Sequence, residues 1–98
     1  MEPPKPGSIE GKVTIAGRPQ PELTVVLYFF DTKTNKYELI DKTMTTEKGA
    51  YKFKDVPAST YTVYCYKMSE YKDVQPAIVK PGETITVDLK LGHLRAKD

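Results

Sequence analysis

The chain has 98 residues, with fifteen Lys and Arg against thirteen Asp and Glu and a formal net charge of +2. One domain with one modest core fits that length, and a lone cysteine rules out a scaffold held by internal disulfides. The positive charges are scattered singly instead of gathered in a stripe, which argues against nucleic acid as a partner.

Seven Tyr, three Phe and no Trp, with Val, Ile and Thr abundant, suit pleated, half-buried surfaces and point to an all-β class. No apolar run approaches the ~20 residues needed to cross a bilayer, and the opening Met1-Glu2-Pro3-Pro4-Lys5-Pro6-Gly7 has no hydrophobic signal region. No direct membrane insertion is expected. The proline-rich stretch 1–7 reads as a stiff linker ahead of a domain over 8–92, with a tail over 93–98.

In chain order, Ile9, Gly11, Val13 and Ile15 alternate with Glu10, Lys12 and Thr14, the period-two pattern of a strand with one wet side, over Ser8 to Ala16. Gly17-Arg18-Pro19-Gln20-Pro21 breaks it. The second strand, Leu23 to Phe30, is apolar on both faces, so its outer face is either covered or binds something. After the polar turn Asp31 to Lys36, a third strand runs from Tyr37 to Thr45 with its apolar set interrupted by Asp41, which an edge position tolerates. Short strands follow at Ala50 to Lys54, Thr60 to Met68, about Gln75 to Lys80, and Glu83 to Leu91, the last two separated by the turn pair Pro81-Gly82. Seven short strands about ten residues apart predict a seven-stranded antiparallel β-sandwich.

Three stretches carry a family resemblance: Gly11-Lys12-Val13 through Gly17-Arg18-Pro19 to Leu27; Thr46-Glu47-Lys48-Gly49-Ala50-Tyr51-Lys52-Phe53 with Val56-Pro57 and Tyr61-Thr62-Val63; and Val87-Asp88-Leu89-Lys90-Leu91. Together they resemble the carboxypeptidase regulatory-like family, transthyretin-like (prealbumin-like) Greek-key sandwiches related to the B-type repeats of collagen adhesins. The chain departs at Ala58-Ser59-Thr60 and at Glu70-Tyr71, where such modules commonly carry glycine. The resemblance implies a structural or interaction module of a surface, secreted or envelope protein, with an extracytoplasmic or cell-surface location; the absence of a signal segment leaves a cytoplasmic one open.

Adhesin repeats of this kind often hold an isopeptide cross-link between a first-strand lysine and a last-strand asparagine, promoted by a buried acid. Lys12 and Asp88 would stand at the bond and Cys65 near the promoter, where a thiol cannot share protons with a lysine–carboxyl pair, so no bond is expected. Hydroxyisourate hydrolases and intradiol dioxygenases resemble the fold too, but the first end in a Tyr-Arg-Gly-Ser tail and the second need paired His and Tyr ligands. A chain ending His93-Leu94-Arg95-Ala96-Lys97-Asp98 offers neither, and no catalytic residue, cofactor or metal site is expected. Cys65 falls with Tyr61 and Val63 on the core face, an inert filler. Asp31, Asp41, Asp55 and Asp73 lack calcium-loop spacing.

One signal remains. With the second and fifth strands as sheet neighbours, which the resemblance implies, Tyr28, Phe30, Tyr64 and Tyr66 form a candidate interface on the outside of that sheet. Its expected partner is a protein, either a neighbouring domain or a second copy; the alternative is a polysaccharide bound on the tyrosine face, against which the lack of Trp counts.

Overall fold

A computed structural model describes residues 5–68 and 70–93; of the linker read over 1–7 and the tail read over 93–98, residues 1–4 and 94–98 lie outside the described residues, whereas Gly7 opens the first strand and His93 falls in the last. Its strands are β1 (Gly7–Ile15), β2 (Arg18–Pro19), β3 (Thr24–Asp31), β4 (Lys36–Met44), β5 (Ala50–Val56), β6 (Ser59–Lys67), β7 (Tyr71–Val79), β8 (Thr84–Thr86), β9 (Leu89–Lys90) and β10 (Gly92–His93). They form two sheets. In the smaller, β1 pairs antiparallel with β2 and β5 and parallel with β8 and β9; the larger has the order β10-β7-β6-β3-β4. The described chain is thus all-β, arranged as a sandwich, with ten strands among the described residues where seven were expected and, against the antiparallel expectation, parallel pairing of β1 with β8 and β9.

Alternation builds the core. The inward residues Ile9 and Val13 of β1, Val25 and Leu27 of β3, Phe53 of β5, Val63 and Cys65 of β6 and Leu89 of β9 are essentially inaccessible to water. Tyr51 and Phe53 share that inner face and pack edge to face at 5.8 Å, a favoured ring arrangement. Polar atoms within the sandwich are satisfied: the buried Thr45 hydroxyl donates to the Gln20 carbonyl at 2.7 Å and accepts from the Leu23 N–H, and the Tyr61 hydroxyl donates to the Pro57 carbonyl. Among the described residues, no buried side-chain nitrogen or oxygen lacks a hydrogen-bond partner.

Most strand ends shift by a residue or two from the sequence reading, β2 and β10 are additional, and two differences are larger. The sixth expected strand begins at Tyr71 instead of about Gln75, because β6 and β7 pair along their whole length from Lys67↔Tyr71 to Ser59↔Val79. The seventh is broken at Val87-Asp88, between β8 and β9. There the Asp88 carboxylate accepts the Lys12 N–H at 3.0 Å, standing in for a ladder carbonyl. Val87 donates its N–H to the Glu10 carbonyl, and its own carbonyl accepts the Tyr51 hydroxyl. Gly11 makes this approach sterically feasible, since a Cβ at that position would lie 1.9 Å from the Val87 oxygen.

The larger sheet is wider than the smaller, so β4 overhangs. It is the outer strand beyond β3, and nearly every residue along it is exposed, including its inward Glu38 and Asp41. A bulge opposite Leu27 and Tyr28 pairs these with Asp41 and Leu39, leaving Ile40 as the extra residue. Charges and a bulge are the usual means by which an edge strand avoids pairing with another chain.

Candidate functional site

The outer face of the larger sheet can be read in ranks across the strands. The second rank runs Val74, Tyr64, Val26, Lys42 and the third Pro76, Thr62, Tyr28, Leu39, each side by side from β7 through β6 and β3 to β4. Continuing the register gives a first rank of Lys72, Tyr66, Thr24 and Met44 and a fourth of Ile78, Thr60, Phe30 and Tyr37. These ranks hold two lysines and no carboxylate. No part of the smaller sheet lies over this face, and Tyr66, Met44, Leu39, Tyr37, Val74 and Ile78 are largely exposed.

The four interface residues read from the sequence fall on this one face. Tyr64 and Tyr66 have ring centroids 5.7 Å apart and planes tilted by only 32°. Tyr28 and Phe30 are not in a ring contact with that pair but meet Tyr37, edge to face, at 6.1 and 4.9 Å. Partial burial, with Tyr66 and Tyr28 nearby, pushes the Tyr64 phenol above its ordinary range. Sequence reasoning missed Tyr37, Leu39 and Met44, because the Ile40 bulge shifts the parity of β4 along its length. It also missed Val74 and Ile78, the first because the strand was started too late.

A different feature lies where the outward face of β1 and β5 meets the end of β4. Glu10, Lys12 and Lys52 on β1 and β5, Thr86 and Asp88 on the last strands, and Thr43 and Met44 of β4 line an open groove of ≈ 710 Å³. Lys52 lies 3.8 Å from Glu10, both about half exposed, and the Asp88 carboxylate accepts the Lys12 backbone N–H. Such a pair in solvent contributes little. Lys12 and Asp88, the cross-link candidates, are both exposed residues of this face.

Cys65 is buried in the core, and burial pushes its thiol up to about 11, which disfavours the nucleophilic thiolate. Burial, then the charge of Asp88 and of Cys65, raises the Tyr51 phenol far above its usual range. Among the described residues, no group of His, Cys, Asp and Glu is placed to hold a metal ion, and no helix is long and apolar enough to cross a membrane.

No protein-family model and no curated protein sequence matches the chain. Solved structures do. It is similar to the Bacillus anthracis TIE protein (TM-score 0.68, 21% identity), matching over 91% of this chain but only 17% of that one. A candidate carbohydrate-binding protein of Pseudomonas aeruginosa matches at TM-score 0.64 and 12% identity, over 91% of this chain and 90% of the other. The minor pilin GBS52 of Streptococcus agalactiae matches at 0.62 and 12%, over 97% of this chain and 48% of the pilin. An (S)-allantoin synthase shares the fold at 0.56 and 14%, over 95% of this chain and 44% of the synthase, so the fold also occurs in an enzyme. At these identities the likeness concerns the fold alone, an all-β sandwich.

Proposed function

We propose that the chain is a non-enzymatic docking module, of the carboxypeptidase regulatory-like, transthyretin-like kind, that binds another protein through the outer face of its larger sheet in a surface, secreted or envelope setting. The observation that carries this reading is a four-strand face on which rings and aliphatic side chains predominate, with three threonines, two lysines and no carboxylate, and which is left open. Exposed apolar areas of several hundred Å² mark interaction surfaces in soluble proteins. The aliphatic members Leu39, Met44, Val74 and Ile78 give no stacking plane to a sugar but match a protein surface, where Met and aromatic residues are enriched. The buried, high-pKa Cys65 and the engagement of Glu10 with Lys52 and of Asp88 with the Lys12 backbone N–H support a role without catalysis. A minor pilin among the structural neighbours agrees with a surface setting.

A second reading, polysaccharide binding, is favoured by the adjacent Tyr64 and Tyr66 rings, 5.7 Å apart and inclined at 32°, and by the carbohydrate-binding neighbour. Tyr28→Ala and Tyr64→Ala test the first reading: each is expected to lower the melting temperature by less than about 8 °C, the scale of one kcal/mol in a domain of this size. Nuclear magnetic resonance titration with neutral and acidic polysaccharides is expected to leave the Tyr64 and Tyr66 signals in place. Unfolding by both substitutions overturns the open docking face, and saturable shifts with a polysaccharide replace the protein reading with the second.

A further inference from the structure

Resting on the docking reading, we infer that the partner of this face is a second copy of the same chain, stacked sheet against sheet about a two-fold axis. The pattern of side-chain size carries the inference. On β6 the large rings, Tyr66 and Tyr64, occupy the first two ranks and small Thr62 and Thr60 the last two; on β3 the order is reversed, with Thr24 and Val26 before Tyr28 and Phe30. Ridges and hollows therefore lie on opposite diagonals of the face.

A two-fold axis in the plane between two copies, running across the strands, turns the second rank onto the third. It seats Tyr64 over Thr62 of the second copy and Tyr28 over Val26. It also turns the first rank onto the fourth, setting Tyr66 over Thr60 and Phe30 over Thr24. An axis running along the strands instead exchanges β6 with β3 and again sets each ring over a small residue, Tyr64 over Val26 and Tyr28 over Thr62. Either operation makes the contact isologous, ring into hollow, as closed dimers require.

Charge and area agree with this occupant. The lysines lie on the flanking strands β4 and β7, and neither operation places one lysine over another: Lys42 meets Leu39 or Val74, and Lys72 meets Ile78 or Met44. Their stems can cover these aliphatic groups while the ammonium reaches water. Four strands at about 4.8 Å and four ranks at about 6.7 Å give roughly 500 Å² per copy, or about 1,000 Å² in all. That meets the lower limit of a specific interface and corresponds to a weak, reversible dimer. The bulged and charged edge of β4 keeps association on the face, so it closes at two.

The test is sedimentation equilibrium of the full chain from about 10 μM to about 1 mM, the range for a small, weak interface. A monomer–dimer equilibrium is expected, not weakened by salt, since no opposite charges meet. Thr62→Tyr fills a hollow and is expected to weaken dimerisation at least tenfold with the unfolding midpoint unchanged. Adding Tyr64→Thr restores it if the axis crosses the strands, and adding Tyr28→Thr restores it if the axis follows them; rescue by neither overturns the stacking. A native monomer at every concentration overturns the second copy as partner but leaves the docking reading to another protein. Oligomers beyond two, or a dimer that dissociates in salt, also overturn this inference. Should Tyr28→Ala and Tyr64→Ala both unfold the chain, the docking reading falls as well.

Discussion

The two outer faces of the sandwich obey the same strand periodicity and carry opposite chemistry. On the smaller sheet the outward positions of β1 and β5 hold Glu10, Lys12, Lys52 and Lys54 beside small polar residues, with a loose ion pair among them. On the larger sheet the outward positions of four neighbouring strands hold mainly rings and aliphatic groups, with three threonines and two lysines. Folding needs the inner residues of both sheets alike; an outward position only has to fit a strand. The composition of the smaller sheet's outer face is what solvent exposure alone selects, and the larger sheet's departure from it is the difference that the proposed docking would account for.

The sharpest way to break the comparison is to disturb a position that both sheets depend on. Gly11→Ala would drive a methyl group into the Val87 carbonyl, and the expected loss of stability is about 3 kcal/mol or more, read by urea denaturation. A loss under about 1 kcal/mol would mean that the break between β8 and β9 opens freely. Next in size is a contrast of two leucines on paired strands. Leu27→Ala removes a fully buried side chain and should cost about 2–5 kcal/mol. Leu39→Ala on the outer face, 58% exposed, should cost about 0.5 kcal/mol or less. Equal costs would show that the outer face is packed in the free chain.

A pH titration gives a smaller effect. The folded thiol of Cys65 sits near 11 against an ordinary 9.0, and the buried Tyr51 and Tyr61 phenols are raised as well. The folded state thus holds protons that the unfolded chain releases. Stability should be level below about pH 9 and fall as pH rises toward 11, by up to about 1.4 kcal/mol per pH unit for each such group. Cys65→Ser would leave the tyrosine part of that slope, and a stability that rises across this window would contradict the burial of all three. Smallest is Glu10→Gln, which breaks a half-exposed pair and should change stability by about 0.5 kcal/mol or less at any salt concentration.

Much of the architecture was legible because the chain alternates cleanly where one face is buried. Val63 and Cys65 on β6 fix its parity, and with it the outward direction of Tyr64 and Tyr66. The turns were legible as chemistry: Gly49 and Gly82 carry φ values of 76° and 72°, in the region glycine enters without steric cost. The rest depended on contacts between distant segments. Nothing near Gly11 announces that Val87 must approach it, seventy-odd residues later, so the last strand read as continuous. The Ile40 bulge likewise resets the parity of β4, and a pattern that appeared weakened by Asp41 is two sound half-patterns out of phase. The candidate face was half visible for that reason: its β3 and β6 columns could be read, while its β4 column could not.

The parallel pairing of β1 with β8 and β9 has a mechanical consequence. Both run in the same direction, so tension applied through the start of β1 and the end of β9 pulls them past each other along their length. Their ladder hydrogen bonds, the Asp88 link to the Lys12 amide and the Tyr51 tether on Val87 then lie across the direction of pull and share the load, instead of opening one after another as at a peeled edge. The geometry is that of a clamp in shear, which resists extension by the height of its unfolding barrier, the quantity that governs forced unfolding.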